Sequence, residues 1–254
     1  SNQIIQTSID ELKAITKVDI YVFDLDGIKV AATTEDIEIP REIITGFAAS
    51  PADSQVVGGY HFLKVLDDSE VAYVLASRSN NDDAYMVGKI AVSQIQNLII
   101  AYKERFDRNN FFQNLILDNL LLVDIYNRAQ KLHIEVEGPR IVYLVETRLE
   151  KDSSGMELLR SLFSSQNGDY ITAVDEKNII LIKAVERDAS PESLELIANT
   201  IVDMMNSEAM LKVRVSYGTV VQELREVSKS YKEATMAMDV GRIFYAEKNV
   251  IAYS

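Results

Sequence analysis

Six side chains in the first third of the chain could together hold a small molecule: Tyr21, Phe23, Tyr60, His61, Tyr73 and Arg78. All lie in short runs rich in β-forming residues. Successive side chains of a strand point to opposite faces, so Tyr21 and Phe23 share one face and Ile20 and Val22 the other. Tyr60, Phe62, Tyr73 and Leu75 are similar pocket-lining candidates on later strands. For an anionic ligand the positive groups at hand are His61, Lys64 and Arg78. Arg78 stands where the last run meets a long helix, and its planar guanidinium suits a bidentate carboxylate contact. Its ordinary alternative is an exposed ion pair with Asp82 or Asp83. His61 alternates with Tyr60 and Phe62, the pattern of a surface strand residue as well as of a ligand contact.

Other chemistry is sparse. The chain has no cysteine and two histidines, His61 and His133, so neither a thiolate nucleophile nor a zinc site is expected. Walker, Gly-x-Gly-x-x-Gly and Gly-x-Ser-x-Gly motifs are absent, and Gly58-Gly59 reads as a turn. No catalytic residue, metal or cofactor is assigned from these patterns.

The elements that must position the six residues follow from periodicity. A helical stripe over 4–15 precedes a strand at 18–24, a turn at Leu25-Asp26-Gly27 and a return strand at 28–32. Pro40 opens a short helix over 41–47. Pro51 and its polar neighbours read as a loop, and strands over 60–66 and 71–78 form a second hairpin. Helix, hairpin, short helix, hairpin and exit helix is an order similar to PAS- or GAF-like sensors, with the output helix leaving the last strand.

From about Asp83 to Leu132 apolar residues recur at helical spacing with no proline. Unbroken, these roughly 50 residues would span about 75 Å. A polar interval, 103–110, divides the pattern, and a heptad frame through Ile95, Leu98 and Tyr102 puts Arg105 and Asn109 on a seam that could pair two chains; the ordinary alternative is one face packed on its own domain. Asp118-Asn119 interrupts it again. The pattern therefore predicts a helix to about Leu117, a break, and a second helix from about Val123 to Leu132, a relay with a joint.

Beyond Gly138-Pro139 come a strand at 140–146, a helix at 156–163, strands at 169–174 and 178–183, and a helix opened by Ser190-Pro191. A strand at 211–217, a helix over 221–240 ended by Gly241, and a last strand at 249–253 follow. This order is the split βαβ, ferredoxin-like arrangement with an added helix. The fold class expected is α+β: a PAS/GAF-like sensing domain at 3–82, linking helices at 83–133 and a ferredoxin-like domain at 134–254.

With 47% hydrophobic and 26% charged residues the chain reads as globular. Its net charge of -13 argues against direct nucleic-acid binding and gives no support to docking on an anionic membrane. No apolar run approaches the ~18 residues of a membrane span, no signal peptide is evident, and Ser1-Asn2 reads as a tag remnant. A cytoplasmic location is the expectation.

Three stretches resemble a known family: Asn110-Phe111-Phe112-Gln113-Asn114-Leu115-Ile116-Leu117, Asn127-Arg128-Ala129-Gln130-Lys131-Leu132-His133-Ile134, and Gly138-Pro139-Arg140-Ile141-Val142-Tyr143-Leu144-Val145-Glu146. They are similar to the lead-in of the GGDEF-like domain of the carbohydrate-diacid and purine-catabolism regulators (the PucR/CdaR type). Ser216-Tyr217-Gly218, then Ser230-Tyr231-Lys232-Glu233-Ala234, resembles that domain's closing helix. The resemblance covers roughly 110–254. It implies a dimeric bacterial transcription regulator, with an effector domain, a linking helix, a GGDEF-like domain and a C-terminal helix-turn-helix. No basic pair of short helices occurs in these residues, so DNA contact is expected only through a module outside them. The implied effector is an anionic carboxylate or a purine metabolite. A diguanylate cyclase carries Gly-Gly-Asp/Glu-Glu-Phe on the hairpin between its second and third strands. The hairpin here reads Val174-Asp175-Glu176-Lys177-Asn178, without the glycines, although Glu146 lies near where a cyclase places a metal carboxylate. The expectation is a non-enzymatic sensory region. The alternative is a nucleotide cyclase or nucleotide-binding enzyme on the same palm fold.

Overall fold

The computed structural model describes residues 2–147, 154–164 and 167–254; Ser1, read above as part of a tag remnant, lies outside them. The chain divides into two compact units, Ser1–Phe106 and Asp107–Ser254. The division falls inside the polar interval noted above.

In the first unit, α1 (Asn2–Thr16) is followed by β1 (Asp19–Phe23), β2 (Lys29–Ala32), α2 (Arg41–Ala49), β3 (Ser54–Val57), β4 (Tyr60–Asp67) and β5 (Glu70–Arg78). The strands form one antiparallel sheet in the order β2-β1-β5-β4-β3. Period-two alternation divides its side chains between two cores. Ile20, Val22, Leu63, Val65 and Leu75 meet Ile5, Ile9 and Leu12 of α1 and the start of α3 (Ala84–Ile116). Tyr21, Phe23, Tyr60, Phe62, Val74 and Ala76 meet Ile44 and Phe47 of α2 on the other face. Gly88 lets α3 lie close to the sheet, because a Cβ there would stand 2.7 Å from Ser77 Oγ and 2.8 Å from Leu63 Cδ1. The segment expected as loop around Pro51 contains β3, joined to β4 by Gly58-Gly59. Both glycines have positive φ (57° and 84°), the conformation a two-residue hairpin turn requires.

α3 ends at Ile116, and Asp118 takes a positive φ of 60° before α4 (Leu122–Lys131). The helix-break-helix pattern of the sequence is thus present. Asn109, assigned by heptad spacing to a two-chain seam, instead accepts hydrogen bonds from Thr172 Oγ1 (2.8 Å) and the Tyr170 hydroxyl (3.4 Å) within the second unit. A heptad frame carries no information about a polar partner 63 residues away.

The rest of the second unit comprises β6 (Glu137–Thr147), α5 (Ser154–Leu162), β7 (Tyr170–Ala173), β8 (Asn178–Ala184), α6 (Pro191–Glu208), β9 (Val213–Tyr217), β10 (Val221–Glu223), α7 (Val227–Phe244) and β11 (Val250–Ala252). The sheet order β11-β9-β6-β8-β7 contains the ferredoxin-like core, with β11 added in parallel and β10 continuing along β6. One face packs on α5 and α6 through Ile141, Tyr143, Val145, Leu181 and Val215. The other packs on Phe111, Phe112, Leu115, Ile116, α4 and α7 through Val142, Leu144, Ile180 and Ile182. Two boundaries differ from expectation. α7 starts at Val227, because Val221–Glu223 pairs with β6 and a 3-10 turn, Leu224–Glu226, intervenes. Gly241 does not end the helix; it lies inside α7, where a Cβ would stand 1.8 Å from Ile251 Cδ1. Glycine there makes room for β11.

Candidate functional site

The six candidate residues divide between the faces of the first sheet. Tyr21, Phe23, Tyr60 and Arg78 lie on the α2 face. His61 and Tyr73 lie on the face covered by α1 and α3, where the His61 ring is 6.0 Å from that of Tyr85 and Tyr73 packs on the apolar cluster. The cause is period two, since adjacent residues such as Tyr60 and His61 cannot share a face.

On the α2 face the aromatic residues are shut into the core: Tyr21 is fully buried, Phe23 is 3% exposed and Tyr60 6%. The rings of Tyr21 and Tyr60 meet edge to face at 5.8 Å. The Tyr21 hydroxyl donates to the Asp36 carbonyl at 3.4 Å. Burial pushes that hydroxyl up to about 12, while the positive charge of Arg78 acts in the opposite direction.

Arg78 is half-buried at the rim. Its Nη1 donates to the Tyr60 hydroxyl at 2.8 Å, and its guanidinium lies over the Tyr60 ring, 5.0 Å from the centroid. The ion pair anticipated with Asp82 or Asp83 does not form. Asp83 accepts instead from Ser79 Oγ at 2.8 Å. Asp19 stands directly across β1 from Arg78 but pairs with Lys13 at 2.7 Å and accepts from Thr33 Oγ1 at 3.1 Å. Among the described residues no carboxylate lies within ion-pairing distance of Arg78. Lys64, on the same face, donates to the Ser50 carbonyl and lies 5.1 Å from the centre of the Phe47 ring. On the opposite face an open groove of about 670 Å³ runs between Gln3, Ile4 and Ser8 of α1 and Gln94, Leu98 and Ala101 of α3.

In the second unit the β7–β8 hairpin is the place to look for nucleotide chemistry. Asp175 accepts from the amides of Lys177 and Asn178, both at 2.8 Å, and from Asn178 Nδ2 at 3.0 and 2.9 Å. Partial burial alone would raise its carboxyl, but the Asn178 side chain and the two amides together hold it below the ordinary carboxylate range. Glu146 is paired across the sheet with Asn178 and Arg214, and it accepts from Arg242 of α7. Arg242 also reaches Asp239 at 2.9 Å. The two carboxylates that could have faced a metal are thus turned to a backbone turn and a guanidinium. No cluster of three metal-ligating side chains occurs among the described residues.

The spacing Asp175-x-x-Asn178 was a legible sign of this self-bonded turn. Nothing local signalled two further atoms beside Glu146: Asn178 Oδ1 and Arg214 Nε are buried with no hydrogen-bond partner. Both belong to ordinary strand runs, and only the cross-strand register places them on either side of Glu146.

Residues 119–240 match the GGDEF-like domain. The chain carries a GGDEF-like domain. This agrees with the ferredoxin-like sheet of the second unit and with the resemblance read from residues 110–254. No curated protein matches the chain. Among solved structures, it is similar to PelD from Pseudomonas aeruginosa PAO1 in complex with c-di-GMP, at 13% identity over 96% of this chain and 89% of that one, with a TM-score of 0.31. PelD from Pseudomonas aeruginosa PA14 in complex with c-di-GMP matches at 12% identity over 95% and 87%, TM-score 0.31. No helix among the described residues is long and apolar enough to cross a membrane.

Proposed function

We propose that the chain is the sensory and linking region of a cytoplasmic bacterial transcription regulator of the PucR/CdaR type. Its first unit, read as a PAS/GAF-like sensor, binds a small anionic effector, a carboxylate or a purine metabolite. α3 transmits the event to a GGDEF-like domain that does no catalysis, and a helix-turn-helix outside these residues contacts DNA. Arg78 carries the reading. A half-buried guanidinium, stacked on Tyr60 and without an acidic partner among the described residues, retains donors for an anion. It also ends the strand that feeds α3, six residues before the helix begins. A ligand that binds one arrangement of this junction better than another shifts the population of α3 positions.

The non-catalytic part is supported by the missing glycines and by the engagement of Asp175 and Glu146 in local bonds. Thermal-shift measurements against sugar diacids, purines and small carboxylates test the sensor, because a ligand at a hundred times its Kd stabilises by about 2.7 kcal/mol. A hit that persists in Arg78→Gln would remove Arg78 from the site, and silence across the panel would sink the effector reading. Incubation with GTP or ATP and Mg²⁺ or Mn²⁺ tests the absence of catalysis; turnover abolished by Glu146→Ala would overturn it.

A second reading, nucleotide binding by the GGDEF-like domain itself, is favoured by the unpartnered Asn178 Oδ1 and Arg214 Nε beside Glu146. Titration with c-di-GMP and GTP, followed by calorimetry on the chain and on Arg214→Met, separates it from the first. Binding that is lost in the variant supports nucleotide recognition there.

A further inference from the structure

We propose that β3 is an interface strand through which two copies of this chain pair edge to edge, antiparallel, about a two-fold axis at Val56. The inference does not depend on the effector reading. The first sheet has two edges, β2 and β3, and they are treated differently. The outward side of β2 is guarded. Gln6 of α1 lays its amide along it, with Nε2 donating to the Ala32 carbonyl at 2.7 Å and Oε1 accepting from the Ala32 amide at 3.1 Å. Lys29 stands at its start, and its pairing with β1 carries a bulge. These are the devices by which proteins prevent edge pairing.

β3 has none of them. Ser54-Gln55-Val56-Val57 contains no charge and no proline, and its register with β4 is unbroken. In the two-residue turn at Gly58-Gly59, Val57 and Tyr60 form the flanking hydrogen-bonded pair. Alternation along an antiparallel ladder then turns the amides and carbonyls of Ser54 and Val56 away from β4. The Val56 side chain is 62% exposed.

A second copy fits this edge better than a charged partner does. The chain carries a net charge of -13, so contact with itself needs an uncharged strip. With the axis at Val56, that residue pairs with its own symmetry mate as a β-branched cross-strand pair, and Gln55 faces Val57 of the partner subunit. The nearest acid, Asp53, lies three residues from the axis and just outside β3, so the two aspartates sit at opposite ends of the ladder. The contact is isologous and closes at two copies.

Sedimentation over a wide concentration range, on the 254-residue chain and its variants, tests the proposal. The expected result is a reversible dimer that Val56→Pro weakens at least tenfold, since proline removes an outward donor and no bond to β4. Val56→Lys, which sets like charges face to face, should do the same without constraining the backbone, and Val56→Thr should leave the dimer intact. Far-ultraviolet circular dichroism checks that each variant folds. Amide exchange at Val56 should slow as concentration rises. A monomer at every concentration, or a dimer indifferent to both Val56→Pro and Val56→Lys, overturns the assignment.

Discussion

The α2 face of the first unit and the β7–β8 hairpin of the second both bring charged side chains to the end of a sheet, and they use them in opposite ways. At the hairpin Asp175 is absorbed by its own turn and Glu146 by Arg242. At the α2 face Asp19 is taken by Lys13 and Thr33, and Arg78, directly across the sheet from it, is left with a phenol and an aromatic ring. A self-satisfied site has little to gain from a ligand, because binding must first break bonds already made. A cation left with a neutral partner has its strongest interaction still to make. The sensing role proposed for the first unit rests on this contrast in local satisfaction.

The largest effect expected at either site is on stability. Tyr60→Ala removes a buried ring that supports both Tyr21 and Arg78 and should cost about 3 kcal/mol in urea unfolding, whereas Tyr60→Phe should cost about 1 kcal/mol. A small loss from Tyr60→Ala would mean that the face is loosely packed and already open. Next comes Arg78→Gln. It should cost the free chain about 1 kcal/mol, through the same hydrogen bond that Tyr60→Phe removes, while weakening an anionic effector at least tenfold, about 1.4 kcal/mol, by calorimetry. Asp175→Ala, at an exposed turn, should cost about 1 kcal/mol and leave effector affinity unchanged. A change in effector binding there would break the assignment of separate roles.

The smallest effect is in pH dependence. The Asp175 carboxyl is held down in the folded chain, so its stabilisation is present above its unfolded value, about 4, and is lost as pH falls through the folded one. Buried Asp169 goes the other way. Burial raises its carboxyl against the bonds from Ala184 and Lys183, so its contribution is full in acid and lost as pH rises through the folded value. Asp175→Asn should therefore flatten the fall of the urea midpoint below pH 4, and Asp169→Asn should not.

Much of the fold was legible because its signals are local. Alternation located β1, β4, β5 and β8, Ser190-Pro191 marked the start of α6, and Asp118-Asn119 marked the break after α3. Ser190 does cap α6, accepting from the Ser193 amide at 3.1 Å. Where reading failed, a distant partner had decided the outcome. Polar β3 became a strand because β4 lies beside it, β10 because β6 does, and Gly241 stayed helical because Ile251 needs its space.

The candidate site divides in the same way. Residue types and parity were enough to nominate Tyr21, Phe23, Tyr60 and Arg78 and to find the hairpin without its glycines. The same parity separates His61 from Tyr60, but which face receives α2 is set by packing. That Arg78 finds Tyr60 rather than Asp82 or Asp83, that Glu146 meets Arg242 ninety-six residues on, and that Asn109 turns to Thr172 are outcomes of tertiary structure alone. Periodicity and turn chemistry act over a few residues and are written in the chain. The partner of a charge is whichever group the completed sheets and helices bring within about 3 Å, and no spacing in the sequence records that distance.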